Sequence, residues 1–344
     1  MRRNPSIRQV ASAAGVSVAT ISRVLNGKGP VRDSTRNRVL AAIESMGYVP
    51  HSAARSLSTR KTMSFGILLP EVHGEFFSEL IRGIDLAARR SGYHLLVSSS
   101  HSDPAEAQAV LHALHGRVDG LIVMTPGNRN VSPPTRFPLG VPVVELSSRS
   151  PSRLNDSIRI DNRGGARAAA EHLLELGHRR IAMICGPPEN SDALDRQSGF
   201  TEALAERNLG LDPALLLPGD FRELSGFKAG AAIAELRHRP TAVFAANDAM
   251  AVGCLAALRD GGLRIPEDVA LAGFDDIPIA RFLTPGLTSV RVAIADFGAR
   301  AAERLLLAIA GGSTSPRHHE VVSAALVVRG STFNPTNPLR GNGT

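Results

Sequence analysis

Two groups of residues in this 344-residue chain are spaced for recognition chemistry. The first lies in GVSVATISRVLNG, from Gly15 to Gly27, where Val18, Ala19 and Arg23 share a surface too polar to be core. Val18 and Ala19 suit thymine methyls or a close backbone approach. Ser17 and Thr20 can donate to phosphates beside a helix N-terminus, and Arg23, one turn on, can fork onto guanine O6 and N7. Ser22 and Asn26 join them as candidates on the same segment. The second group is scattered: Phe77, Asp192, Arg196, Phe221, Asn247 and Asp275 each follow a short apolar run. Two acids, an amide and an arginine can each make paired hydrogen bonds to adjacent hydroxyls, while Phe77 or Phe221 can cover an apolar sugar face. That set suits a polyhydroxylated ligand better than a phosphate or a base.

The first group needs a small helical unit. Ser6 can cap a helix starting at Ile7, with Ile7, Val10, Ala11 and Ala14 on one face. Gly15 ends it, Ser17 caps the next, and Ile21, Val24 and Leu25 form a buried stripe. Ala11-x3-Gly15-x5-Ile21 is helix-turn-helix spacing, in which the second helix enters the major groove. A third helix is expected from about Ser34 to Met46, capped by Asp33 or Ser34 and stopped by Gly47. Val39, Ile43 and Met46 face inward on it, Arg36 and Arg38 outward. Residues 1–62 hold eleven Lys/Arg against two acids, whereas the remainder holds 28 against 30. The excess positive charge thus lies in one small unit, an electrostatic footprint for phosphate backbones. Pro50 to Thr62 then reads as a linker too short to be helical alone, able to fold when a partner supplies contacts.

From Met63 onward, apolar runs such as FGILLP, YHLLVSSS, GLIVMT, VPVVEL, RIAMICG, TAVFAAN and VALAGF alternate with amphipathic helical patterns. This is an α/β pattern with parallel sheets, and so many units favour two sheets facing a cleft. Ligands of such sheets sit beyond the strand carboxyl ends, where the second group falls. Plainer roles compete there. Asn247 and Asp275 could cap the following helices, Arg196 could belong to a surface ion pair, Phe76 reads as core, and Asp276 is expected to point away.

An enzyme is not expected. Asp275 and Asp276 are adjacent and diverge, His112 and His115 have no metal-spaced partners, and no nucleophile-elbow or phosphate-loop motif occurs. No metal or cofactor is therefore expected. Cys185 and Cys254 lack ligand spacing, which fits a reducing compartment. The start, MRRNPSIRQV, has no apolar stretch behind it, and no run approaches the roughly 18 residues of a membrane span. A cytoplasmic protein is expected.

SIRQVASAAGVSVATISRVLNG, TRNRVLAAIESMGYVPHSAARSL and DNRGGARAAAEHLLELGHRRIAMICGP resemble the LacI/GalR family of bacterial transcription regulators over nearly the whole chain. The resemblance implies a helix-turn-helix domain at 1–49, a hinge at 50–62, an effector-binding and dimerisation core at 63–334, and a flexible tail at 335–344. The core would be periplasmic-binding-protein-like, with one lobe at about 63–161 and 291–324 and another at about 162–290 and 325–334. In the hinge, Leu57 takes the position of a leucine that wedges into the minor groove, with Ala54 beside it. Phe77, Asp192, Arg196, Phe221, Asn247 and Asp275 match effector-pocket positions. Ser147 departs from the aspartate many relatives carry, and Arg32 from a capping serine. The expected function is a homodimeric repressor of a carbohydrate-utilisation operon, bound to a palindromic double-stranded DNA operator and released by a sugar-like effector. The alternative signal is a purine, a sugar acid or a partner protein acting as co-repressor.

Overall fold

The computed structural model describes residues 5–26, 29–48, 61–124, 140–148, 154–311 and 317–332. The chain divides into two compact units between Thr62 and Met63.

In the first unit, α1 (Ile7–Ala13), α2 (Val18–Asn26) and α3 (Asp33–Met46) enclose Val10, Ala11, Ala14, Ile21, Val24, Val39, Ala42 and Tyr48. A reciprocal cap starts α1: the Gln9 amide donates to Ser6 Oγ at 3.4 Å, and the Ser6 amide to Gln9 Oε1 at 2.7 Å. Gly15 turns the chain with φ 61°, a left-handed angle that lets the Val16 amide reach back to Ala11 O at 3.0 Å.

One expectation needs correction here. Neither Asp33 nor Ser34 caps α3: Arg32 occupies the capping position without a side-chain bond, and Asp33 places its carboxylate in the first turn, where the helix dipole favours it. Arg38 is exposed as expected, and Arg36 half-buried, yet Arg38 also serves the fold. Its Nε donates to Ala14 O at 2.8 Å, closing the open C-terminus of α1.

The second unit has, among the described residues, strands β1 (Ser64–Leu69), β2 (His94–Ser99), β3 (Gly120–Met124), β4 (Val143–Leu146), β5 (Asp156–Ile160), β6 (Ile181–Ile184), β7 (Leu216–Leu217), β8 (Ala242–Ala245), β9 (Ala270–Asp275), β10 (Thr288–Arg291), β11 (His319–Val322) and β12 (Ala325–Val327). They form two six-stranded sheets, ordered β11-β5-β4-β3-β1-β2 and β12-β10-β9-β8-β6-β7. The first sheet is wholly parallel, whereas the second carries one antiparallel edge, with Ser289 of β10 opposite Val327 of β12. The chain passes between sheets after β5, after β10 and between β11 and β12. That last passage is only two residues long.

Helices α4 (Glu75–Arg90), α5 (Pro104–Leu114), α6 (Asn162–Glu175), α7 (Ser191–Glu206), α8 (Glu223–Glu235), α9 (Asp248–Asp260) and α10 (Ile294–Gly311) accompany the strands. Central strands such as β1, β3, β8 and β9 are buried almost along their length, which explains their unbroken apolar runs. Three helix pairs pack backbone to backbone. A Cβ on Gly83 of α4 would collide with the Ala295 carbonyl of α10, one on Gly199 of α7 with Arg163 of α6, and one on Gly253 of α9 with Glu223 of α8.

Gly83→Ala should therefore lower core stability by about 1–3 kcal/mol through overpacking. Gly210→Ala, where a Cβ meets nothing within 4 Å, should leave the urea midpoint essentially unchanged. Equal midpoints for the two variants would reject the close-packing account.

Candidate nucleic-acid interface and ligand cleft

The start of α2 is built as a presentation surface. Ser17 Oγ accepts the Thr20 amide at 3.2 Å and lies 3.0 Å from Thr20 Oγ1, so both hydroxyls sit at the helix N-terminus. Ile21 and Val24 turn into the core, which leaves Val18, Ala19 and Arg23 exposed, with Thr20 and Ser22 half-buried. Val18 keeps 40% of its surface open. Asn26 ends the helix. Ala54 and Leu57 lie outside the described residues.

In the second unit, the predicted residues gather around one arginine. Arg196, on α7, is 4% exposed, not the member of a surface pair. Its Nε donates to Asn162 Oδ1 at 2.8 Å and its Nη1 to Ala246 O at 2.6 Å. Its Nη2 stands 3.1 Å from Asp275 Oδ1, and its guanidinium lies 3.8 Å from the centre of the Phe274 ring and 5.7 Å from that of Phe221. Asp192, one turn before Arg196, accepts from Asn162 Nδ2 at 2.9 Å. Asn162 therefore links the acid to the arginine.

Asn247 does cap α9, accepting the Met250 amide at 3.0 Å, and its Nδ2 donates to Phe221 O at 2.9 Å. The plainer role and a positioning role thus coincide in one side chain. Asp275 caps nothing; it ends β9. Asp276 turns away from it, held by Arg291 Nε and Arg329 Nη2 at 2.7 Å each. Phe77 stands apart from the cluster: half-buried at the start of α4, it meets Phe76 edge-on at 5.4 Å, and the two rings share the same degree of burial.

The electrostatics follow from burial. Burial pushes the Asp275 carboxyl up to about 6, with Asp192 adding to the rise and Arg196 opposing it. Burial also raises Asp192, against the pull of Arg196; part of the residue's surface opens to solvent while its carboxyl lies deep in the wall. The Ser147 hydroxyl faces Asp192 closely enough to ease its charge, yet lacks the geometry of a full hydrogen bond. Among the described residues, Ser147 Oγ and Asp275 Oδ1 are the buried side-chain atoms without a well-aligned hydrogen bond, although Arg196 Nη2 stands 3.1 Å from Asp275 Oδ1 and eases its charge. Ser147, Phe221 and Asp275 also hold left-handed φ angles of 56°, 69° and 104°. Such strain costs about 1–3 kcal/mol per residue and concentrates at functional sites.

Sequence reasoning missed Asn162, Asp248 and Ser289. Asp248 is fully buried: it accepts Ser289 Oγ at 2.6 Å and the Ile277 amide at 2.9 Å, while Ser289 Oγ accepts the Asp276 amide at 3.0 Å. Burial, with Asp275 nearby, raises the Asp248 carboxyl well above the usual range. Asp248 and Ser289 lock the strained Asp275–Asp276 turn from behind, while Asn162 braces Arg196 and Asp192. Their only signal in the chain was position, polar residues at a helix start or inside a strand.

Residues 6–51 match the family described as bacterial regulatory proteins, lacI family, and residues 170–332 match a periplasmic binding protein-like domain. The chain is 34% identical over 336 residues to the HTH-type transcriptional regulator GalR of Salmonella typhimurium (strain SL1344), covering 96% of this chain and 97% of that one. It is 33% identical over 302 residues to the HTH-type transcriptional repressor PurR of Haemophilus influenzae (strain PittEE), covering 88% and 90%. The crystal structure of the Lac repressor dimer bound to operator and the anti-inducer ONPF is similar with a TM-score of 0.87 at 28% identity, covering 96% of this chain and 100% of that one.

The raised Asp275 carboxyl has a consequence for stability. Its folded value, about 6, exceeds its ordinary 3.8, so between those values the folded chain holds a proton that the unfolded chain has released. Its contribution is full below the lower value and is lost as pH rises to the upper one. Asp275→Asn should flatten this part of the profile. Urea midpoints from pH 4 to pH 7 should fall more steeply for the parent than for the variant; parallel curves would reject the assignment.

Proposed function

This chain belongs to the LacI family of DNA-binding transcriptional regulators and is not an enzyme, and from that premise we propose that it represses a carbohydrate-utilisation operon, releasing a palindromic operator when a neutral, polyhydroxylated effector fills the cleft. Residues 1–49 would read DNA, 50–62 form the hinge, 63–334 sense the effector and dimerise, and 335–344 form the tail. The site of action is the cytoplasm.

One observation carries the choice of effector. The cleft offers two buried oxygens without an aligned hydrogen bond, Ser147 Oγ and Asp275 Oδ1, the latter 3.1 Å from Arg196 Nη2, beside a second acid, while each nitrogen of Arg196 already faces a partner. Sugar hydroxyls donate to such acceptors. A carboxylate or phosphate would instead meet two acids beside a single arginine that those acids and Asn162 already engage, which disfavours sugar acids as the signal. Phe221, Asn247 and Phe77 complete the proposed effector set, with Asp192 and Arg196 at its centre.

For DNA, we assign base reading to Val18, Ala19 and Arg23 and phosphate contacts to Ser17 and Thr20, with Ser22 and Asn26 alongside. Ala54 and Leu57 would take the minor groove. A single such helix reads few base pairs, so a dimer on a near-palindrome is required. Exposed Leu86, Leu96 and Val97 on the first sheet's half, and Leu224, Phe227 and Phe282 on the second's, provide apolar surface for a second copy.

Two measurements test this reading. In a thermal-shift panel on the full chain, galactose or cellobiose should raise the Tm by a few degrees at about 100 times Kd. Gluconate, glucose 6-phosphate and hypoxanthine should leave it unmoved, and Asp275→Ala should erase the shift. Stabilisation by the charged compounds or by the purine alone would overturn the neutral-sugar assignment. Separately, Arg23→Ala should cost about 1–3 kcal/mol of specific binding and flatten one position of the site selected from random duplexes; an unaltered selected site would remove Arg23 from base reading.

A further inference from the structure

The two halves of the core are joined at the cleft rim by one short segment, Glu71 to Glu75, which follows β1 and opens α4. Glu71 uses both oxygens. Its Oε1 accepts the Val72 amide at 3.0 Å, and its Oε2 accepts Arg222 Nη2 from the other half at 2.9 Å. Glu75 Oε2 accepts the Ile279 amide, also of the other half, at 3.0 Å. Arg222 is aimed by its own backbone: its amide donates to Asp220 Oδ1 at 2.9 Å, and its carbonyl accepts Ser225 Oγ at 2.9 Å. Deeper in the cleft, Ser191 Oγ reaches Ser147 O only at 3.5 Å, too long to hold the halves by itself.

We propose that Glu71 and Glu75 form a two-point clasp that holds the two halves of the core together across the cleft rim and so sets how readily the effector enters. The clasp grips the segments that carry the site. Arg222 directly follows Phe221, and Ile279 lies four residues beyond Asp275, in the turn that Asp248 anchors through Ile277. Opening the cleft at either point breaks a carboxylate contact, and opening it fully breaks both. The Arg222 contact is the weaker, because that arginine side chain is 65% exposed and salt screens it. The Glu75 contact, a carboxylate on a backbone amide, is screened less. Only the consequence for effector entry rests on the reading of the cleft as a ligand site; the clasp itself rests on contacts within the chain.

Hydrogen–deuterium exchange on the ligand-free full chain tests it, read at the buried segment Ser191–Arg196, which touches neither glutamate. Glu71→Arg and Arg222→Glu, each placing like charges together, should speed exchange there about threefold to tenfold. The doubly reversed Glu71→Arg/Arg222→Glu chain should return to within about twofold of the parent, because the ion pair is restored. Glu75→Ala should speed exchange as the single reversals do. Raising salt to about 1 M should speed the parent but not the Arg222→Glu chain. Unchanged exchange in the single variants overturns the proposal. So does failure of the double reversal to recover, which would mark the singles as local damage. Since no ligand is added, a failed sugar panel would sink the effector reading and leave this result standing.

Discussion

A guanidinium withdrawn from water has to find a partner for each of its nitrogens, and the core is arranged around that demand at Arg196. Asn162, the Ala246 carbonyl and Asp275 face those nitrogens, and the Phe274 ring covers the guanidinium face. Two acids share this one cation, so the site is short of donors and long on acceptors. Burying charge on such terms is costly unless the geometry is enforced from outside. Asp248 and Ser289 enforce it, tying down the two left-handed residues at 275 and 276, while Arg291 and Arg329 hold the Asp276 carboxylate out of the cleft. The resulting cluster holds two acids against one arginine, the imbalance on which the proposed choice of effector rests.

The two units divide the electrostatic labour. The first carries the positive excess of the chain, and its α2 presents a cationic side chain beyond small apolar ones. The second is slightly acidic and keeps its decisive charges inside, paired and shielded. The charge that would attract a polyanion therefore belongs to the first unit, and in the proposed reading the buried groups of the second would discriminate among small ligands.

Much of this was legible in the residues because the relevant forces are local. The alternation of unbroken apolar runs with helical patterns marks buried parallel strands, and β1, β3, β4, β6, β8 and β9 fall on those runs; β2 falls on one too but, as an edge strand, leaves Leu96 and Val97 exposed. Ser6, Gly15, Ser17 and Gly47 mark helix ends through capping and left-handed turns, which depend on near neighbours. What escaped is what depends on contacts distant in sequence. Arg38 looks like any exposed helical arginine until Ala14 presents a bare carbonyl to it. Asn162 and Asp248 look like helix-start residues, which they are; that they also hold Arg196 and the Asp275 turn follows only from the folding together of segments some 30 residues apart. The strain at Ser147, Phe221 and Asp275 was hidden for a related reason. None is a glycine, so nothing in their chemistry announces a left-handed backbone.

The brief passage from β11 to β12 ties one short stretch of the chain to both sheets at once, as an edge strand of each. Neither half of the core is thus a continuous stretch of polypeptide, and during synthesis neither can close its sheet until β11 and β12 have emerged. A premature stop codon ahead of His319 would strip a border from both sheets together, and the shortened product would offer two bare backbone edges to any strand it met.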